Sequence, residues 1–189
     1  MIILASQSPR RKQLLKKLGF EFKVIASNIE EKLNPRYKPR KQVEVLSLQK
    51  AEAVASEVKD ALVIAADTMV AVGDEIMGKP KDDKDAKRML KKLSGTAHSV
   101  VTGFTLLDAK TKKVLTKSVE IKVWFKKLTD KEIKSYIAKE KPFDRAGSYG
   151  AEELGAIFVE KIEGDYSGLF GLPLYSLAHE LKKFGVHVL

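Results

Sequence analysis

The sequence predicts an α/β fold in which helices flank a mixed, twisted sheet. Segments typical of strands and helices are interleaved along the chain, which indicates helices packed on a sheet. The continuous apolar run from Ala61 to Ala66 is typical of a central strand. Because candidate site residues come from both ends of the chain, we expect one domain over residues 1–189, with two lobes around a deep cleft, rather than two independent domains.

The first half of the chain predicts three strands and two helices. Ser8 suits a helix N-cap and Pro9 the first helical position, while Gly19 suits the residue after the helix. Two prolines and many charges predict a loop over residues 28–39. The predicted elements are a strand at 2–5, a helix from 9, a strand at 20–26, a helix from 39 to about 58, and a strand at 61–66.

The second half predicts a hairpin, then alternating helices and strands. Gly73-Asp74 separates two short strands, as in a hairpin turn, and Thr129 with Glu132 forms a capping box. The predicted strands are 69–72, 75–77, 100–107, 114–125, 157–162 and 186–189, and the predicted helices are 82–93, 129–138 and 173–184.

Composition narrows the class of protein. The chain is 44% apolar and 32% charged, as soluble globular proteins are, and no apolar run reaches the ~18 residues of a membrane helix. The N-terminal charges follow the apolar stretch instead of preceding it as in a secretory signal, so we expect a cytoplasmic protein. Without cysteine, any metal must be held by oxygen or histidine ligands.

The net charge of +10 has two interpretations. One is a protein that binds polyanions such as nucleic acid, and the other is a lysine-rich solvated surface. The lysines are scattered, the aromatic residues are few and no nucleic-acid-binding module is present, which favours the second. A positive field would still attract a phosphate-bearing substrate.

Three segments could carry chemistry on phosphates. Ser6 to Arg11 lies between a strand and a helix, where free N–H groups, hydroxyls and two arginines can bind an anion; the alternative is a capped helix with surface arginines. Asp67-Thr68 follows the apolar run, where polar residues often face the ligand crevice and can hold a metal or activate water; it could instead cap a turn. Glu30-Glu31 could bind metal or be a solvated acidic loop.

The other candidates are weaker when each is taken alone. Lys79, between Gly78 and Pro80, could contact phosphate or simply belong to a turn, and Lys50 would be interpreted as an exposed helix lysine. His98 could contact phosphate or be structural. The stretch from Asp144 to Gly150, with Glu152 after it, could form the wall of a base pocket.

Six motifs in this order resemble the Maf family over nearly the whole chain. They are Leu4-Ala-Ser-Gln-Ser-Pro-Arg-Arg11, Ala65-Ala-Asp-Thr68, Gly78-Lys-Pro80, Ser94-Gly-x-x-His98, Ala146-Gly-Ser-Tyr-Gly150 and Gly171-Leu-Pro173. The resemblance implies a nucleotide pyrophosphatase with a deep cleft, a fold like that of inosine triphosphate pyrophosphatases, a divalent cation (Mg²⁺ or Mn²⁺), and a link to arrest of cell division. It also implies a homodimer.

The resemblance assigns roles to individual residues. Asp67 is expected to be the proton acceptor and, with Glu31, to hold the metal. Lys50 and Lys79 are expected to serve catalysis and to bind phosphate together with Ser6 and Arg10.

Substrate choice rests on three positions in the resemblance. Arg11 and Thr68 match the branch that acts on dTTP and UTP, whereas Glu152 stands where that branch has Gln and looks more like the branch acting on 7-methyl-GTP. We therefore expect dTTP and UTP, and also modified pyrimidine nucleotides, as substrates, with 7-methyl-GTP as the alternative. A non-enzymatic protein that binds nucleotide or nucleic acid for regulation is the alternative from another class.

Overall fold

The computed structural model describes all 189 residues, and it confirms the α/β class. A single sheet of seven strands has the order β2-β1-β3-β5-β6-β7, with β4 paired to β3 beside this path. The strands are β1 (Ile2–Leu4), β2 (Lys23–Val24), β3 (Leu62–Val72), β4 (Glu75–Met77), β5 (Ala97–Asp108), β6 (Val114–Phe125) and β7 (Val159–Glu163).

Five α-helices flank the sheet. They are α1 (Pro9–Lys16), α2 (Pro39–Ala55), α3 (Asp83–Leu93), α4 (Asp130–Glu140) and α5 (Leu174–Leu181). Ser8 caps α1, and Thr129 with Glu132 forms the predicted capping box of α4. No helix has the length and apolar character that crossing a membrane requires.

The sequence placed some strand boundaries incorrectly. The second strand has two residues instead of seven, because it only adds a short parallel edge beyond β1. The predicted C-terminal strand at 186–189 is wrong: α5 continues as a 3-10 turn at Lys182–Phe184, and the last residues pair with no strand. Val186 and Val188 instead pack against the apolar cluster around α1 and α5, which explains their alternating pattern.

The central strand β3 is longer than predicted. The sequence indicated one strand ending at Ala66 and another beginning at Met69, but both belong to β3, so Asp67 lies inside a strand and not at its end. Strand β5 pairs antiparallel with β3 from Leu62 through Ala71, and this ladder keeps the polar pair Asp67-Thr68 in extended conformation. Successive side chains along β3 therefore point to opposite faces of the sheet.

The helices cover the sheet in two halves. Near β1, α2 packs on one face, against Val63 and Ala65, while α1 and α5 pack on the other face, against Ile64 and Ala66. Farther along, α3 and α4 enclose a separate core of 17 buried residues that includes Val70 of β3. Strands β3, β5 and β6 run through both halves, so the two halves are lobes of one sheet: the first lobe carries α1, α2 and α5, and the second carries α3 and α4.

A cleft lies where one edge of β3 changes its neighbour. Strand β1 pairs with β3 only as far as Leu4 and Ile64, and β4 begins to pair with the same edge at Val70. Between these points that edge has no partner strand. The polar residues of β3 lie within this gap, so the fold exposes them to the cleft while β5 supports their other side.

Candidate active site

The cleft brings together all nine residues that the sequence singled out for the site. It has a volume of about 560 Å³, within the usual range for small-molecule sites. Its walls come from the β1–α1 loop, the loop before α2, α2, β3 and the segments that follow α4. The nine predicted residues that line it are Ser6, Arg10, Arg11, Glu31, Lys50, Asp67, Thr68, Lys79 and Glu152.

Lys50 lies between two carboxylates at the base of the cleft. Its Nζ is 2.6 Å from Oδ1 of Asp67 and 2.8 Å from Oε1 of Glu31. The side chains of Lys50 and Asp67 are each only 8% exposed, whereas that of Glu31 is 52% exposed. A buried ammonium needs such partners, since an unpaired charge in the interior is very costly. The result is a buried ion pair between Lys50 and Asp67 with a second, solvent-facing carboxylate from Glu31.

Interpreting Lys50 as an exposed helix lysine is wrong. It lies four residues after Leu46 and four before Val54, so it shares the buried face of α2. Gly103, which is paired with Asp67, allows the helix to come close, because a Cβ there would lie 2.5 Å from the carbonyl oxygen of Val43.

The two predicted acidic residues before α2 do not act together. Glu30 is paired with Lys32 in solvent, and only Glu31 turns toward the cleft. Thus the carboxylate of Glu31 reaches Lys50, whereas Glu30 lies in a solvated loop, as the alternative interpretation predicted.

Arg11 is fixed by a chain of hydrogen bonds on the opposite face of β3. Its Nε donates to the carbonyl of Gly171 at 2.8 Å, and Nη2 donates to Oγ1 of Thr68 at 3.1 Å. Thr102 donates its hydroxyl hydrogen to the Gly168 carbonyl, so Thr68 must donate to Thr102. Burial lowers the pKa of Arg11, although the nearby carboxylates of Asp67 and Glu31 raise it. The guanidinium is thus oriented before any ligand arrives.

The N-terminus of α1 is positive. Helices α3 and α4 carry acidic residues in their first turns, but α1, like α2, carries none, and it has Arg10 and Arg11 there. Cations at this end oppose the helix dipole, an arrangement that an anion would relieve. Arg10 at present donates from Nη1 to Oε1 of Glu152 at 2.9 Å. This ion pair crosses the mouth of the cleft from the first lobe to the loop after α4.

The loop from Asp144 to Glu153 is held in place by Arg145, which also lines the cleft. This side chain is largely buried and pairs with Glu153 and Glu140. Gly150 provides room for it, because a Cβ there would lie 2.1 Å from Nη1 of Arg145. We conclude that Arg145 supports the wall of the cleft.

His98 also supports this wall but does not itself line the cleft. It is buried, its Nε2 is 2.8 Å from the Tyr149 hydroxyl, and burial lowers the pKa of His98 to about 4. The structural interpretation of His98 is therefore the correct one, and Tyr149 is the residue of the pair that lines the cleft.

Lys79 faces the cleft from the second lobe without an ion-pair partner. The Gly78 carbonyl before it accepts a hydrogen bond from the Gly147 amide at 3.1 Å, which joins this segment to the loop after α4. Lys79 is exposed and is available to an anionic ligand.

The cleft has almost no net charge, so a polyanion would bind there more favourably together with a cation than alone. Five basic side chains and four acidic ones line it, so its own net charge is close to zero. No group of three or more His, Cys, Asp or Glu side chains converges as a preformed metal site. Glu31 and Asp67 nevertheless offer two hard oxygen donors in one place, and Mg²⁺ commonly binds one or two carboxylates together with substrate phosphates. These donors fit such an ion.

The fold resembles that of a protein whose structure has been solved. A HAM1 protein from Coxiella burnetii superposes with a TM-score of 0.50 at 16% sequence identity, covering 96% of this chain and 98% of that one. At this identity the likeness shows the fold alone. It agrees with the expected resemblance to inosine triphosphate pyrophosphatases.

Sequence comparison identifies the family. The family model for Maf-like proteins matches residues 1–184, so the chain belongs to the Maf family. A protein from Carboxydothermus hydrogenoformans, described as a dTTP/UTP pyrophosphatase, is 47% identical over 184 residues, which is 97% of this chain and 98% of the relative. One from Acetivibrio thermocellus with the same description is 49% identical over 196 residues, covering 100% and 97%.

Proposed function

We propose that this protein hydrolyses dTTP and UTP to the nucleoside monophosphate and pyrophosphate. The observation that carries the proposal is the buried Lys50–Asp67 pair, which faces a cleft lined by further cations. The full-length relatives described as dTTP/UTP pyrophosphatases support the same activity.

The reaction needs a water activated next to the α-phosphorus. We assign this to Asp67, because Lys50 engages Oδ1 and no protein group hydrogen-bonds to Oδ2. The water oxygen bonds to the α-phosphorus, its proton passes to Asp67, and the bond to the oxygen bridging the α- and β-phosphorus breaks, so that pyrophosphate leaves. Lys50 keeps the carboxylate oriented.

The cations stabilise the phosphates and the leaving group. Arg10 and Lys79 reach the cleft from opposite lobes, and the Ser6 hydroxyl with the backbone N–H of Arg10, which has no protein partner in the first turn of α1, offers neutral donors. Charge develops on the pyrophosphate as it leaves, and fixed donors there lower the barrier. Arg10 must exchange Glu152 for phosphate, a favourable exchange because phosphate has the greater charge.

A divalent cation, Mg²⁺ or Mn²⁺, completes the proposal. Glu31 and Asp67 would hold it, and it would neutralise phosphate oxygens when bound. It would also add the positive charge that the near-neutral cleft needs for a triphosphate.

Base selection would fall to the residues on the other face of β3 and across the mouth. The oriented Arg11–Thr68 pair fits the dTTP/UTP branch. Glu152 favours a second candidate, 7-methyl-GTP, because its carboxylate accepts hydrogen bonds but cannot donate as an amide does. A cytoplasmic location and a homodimer stay predictions from the sequence.

Pyrophosphate release from a panel of nucleotides tests the proposal. The panel contains dTTP, UTP, CTP, ITP and 7-methyl-GTP, each with Mg²⁺, Mn²⁺ or EDTA. We expect cation-dependent release from dTTP and UTP. Preference for 7-methyl-GTP would transfer the assignment to the second candidate, and no release from any nucleotide would refute enzymatic function.

A further inference from the structure

The loop that carries Glu31 has no regular structure of its own. Residues 25–38 lie between β2 and α2 without a helix or strand, and most of them are exposed. Yet Glu31 must be held beside Lys50 if it is to act at the base of the cleft. A flexible loop would leave its carboxylate in many orientations, each with a cost in entropy when it is ordered.

One buried side chain joins this loop to the protein. Gln42, in the first turns of α2, is fully buried, although glutamine is usually exposed. Its Oε1 accepts from the Asn34 amide at 2.9 Å, and its Nε2 donates to the Lys32 carbonyl at 3.4 Å. A single side-chain amide therefore satisfies one backbone donor and one backbone acceptor, immediately after Glu31 in the chain.

The other hydrogen bonds of the loop do not attach the segment around Glu31 to the rest of the protein. Asn34 bonds within the loop to the amides of Arg36 and Tyr37, and Asn28 meets Gln7 on the exposed surface at 3.5 Å. Between residues 29 and 37, the hydrogen bonds and ion pairs to the rest of the protein are those of Gln42 and the Glu31–Lys50 pair.

We propose that Gln42 is a positioning residue that holds the loop so that Glu31 stays beside Lys50 and Asp67. Its amide suits this function because the two backbone groups need an acceptor and a donor in one plane, which neither a carboxylate nor an aliphatic chain provides. Gln42 itself lies behind the loop and does not line the cleft. The proposal rests on the proposed pyrophosphatase activity for its kinetic consequence, but the contact itself can be tested separately.

The test compares Gln42→Met, Glu31→Gln and the double variant with the wild-type chain. Methionine keeps the length and burial of the side chain but leaves both backbone groups without a partner. We expect Gln42→Met to lower kcat about tenfold, the effect of one lost hydrogen-bond arrangement, with little change in KM. In the Glu31→Gln background, where the positioned carboxylate is already absent, the same substitution should lower kcat less than twofold.

Ser47→Ala is the matched control. Ser47 is also fully buried on α2 and hydrogen-bonded, but its partners are Glu44 and Thr105 and not the loop. We expect it to leave kcat within twofold of wild type, even if it lowers the melting temperature as much as Gln42→Met does.

Hydrogen exchange at the Asn34 amide supplies a readout independent of turnover. We expect exchange to be faster in Gln42→Met and unchanged in Ser47→Ala. Unchanged exchange, or kcat losses that multiply fully in the double variant, would overturn the proposal. If the wild-type chain releases no pyrophosphate, the proposed function fails, while the exchange measurement still decides whether Gln42 holds the loop.

Discussion

Replacing Asp67 with Asn tests the central assignment, because stability and catalysis should respond by different amounts. At 2.6 Å, the attraction of Lys50 for Asp67 is about 6 kcal/mol at an effective dielectric constant of about 20. Desolvation offsets part of it, and breaking a buried pair typically costs about 3–5 kcal/mol. Glu31 stays as a partner for Lys50 and Asn keeps an acceptor oxygen, so we expect a loss of about 2–3 kcal/mol.

The two readouts follow from these values. For a chain of 189 residues, the unfolding entropy is about 0.4 kcal/mol per degree, so the melting temperature should fall by about 5–8 °C. Loss of the general base should lower kcat by a factor of about 10²–10⁴. Thermal unfolding followed by circular dichroism measures the shift in melting temperature. Pyrophosphate release at saturating nucleotide, at a temperature well below the transition, measures kcat.

Glu180→Gln is the control for this variant. Glu180 is also a buried carboxylate paired with two lysines, Lys117 at 2.5 Å and Lys183 at 2.7 Å, but it lies outside the cleft. We expect a similar loss of stability with kcat within twofold of wild type. Turnover by Asp67→Asn at the wild-type rate would refute the role of Asp67, and an equal loss of kcat in both variants would mean that the loss comes from general destabilisation.

Three further outcomes are expected. Because burial lowers the pKa of His98 to about 4, below its value in the unfolded chain, the unfolded state binds protons more readily, and His98 should contribute roughly 2–3 kcal/mol less stability near pH 4.5 than near pH 7.5. His98→Gln should reduce the difference between the unfolding free energies measured in urea at these two pH values by that amount, and an unchanged difference would contradict the assignment. Gly150→Ala should lower stability by at least about 1 kcal/mol in a thermal melt, because its Cβ would meet Arg145, whereas Gly78→Ala, which meets nothing within 4 Å, should not. Glu152→Gln should raise kcat/KM for UTP over 7-methyl-GTP by about tenfold, the value of one base-specific hydrogen bond; an unaltered ratio would remove Glu152 from base selection.

The order of elements was predictable, whereas the environment of a given polar residue was not. Alternating apolar segments and caps such as Thr129 are local signals, and the helices lie where those signals place them. The end of a strand is less local. The polar pair Asp67-Thr68 suggested the end of a strand, but pairing with β5 continues through it, since ten residue pairs outweigh one poor strand former, Asp67.

The candidate site followed from the motifs, but its connections did not. The sequence identified Lys50 and Asp67 by resemblance, yet their contact depends on how closely α2 approaches β5 at Gly103, which is a property of tertiary packing. Gln42 was missed altogether. Its only signal was a polar residue on the buried face of a helix, next to Val43 and Leu46, and its partners are backbone groups that carry no sequence identity.

The antiparallel ladder between β3 and β5 also limits where the chain can accept inserted or deleted residues. Asp67 points toward α2 and Thr68 toward α1, and one added or deleted residue in β3 would exchange the faces of every side chain beyond it. The proposed acid–base group would then face the arginine, and the proposed base-selecting hydroxyl would face the lysine. Insertions that preserve function must therefore fall in the turns. The exposed turn between β5 and β6 is one such place, because the strand that follows it, β6, contributes no residue to the cleft.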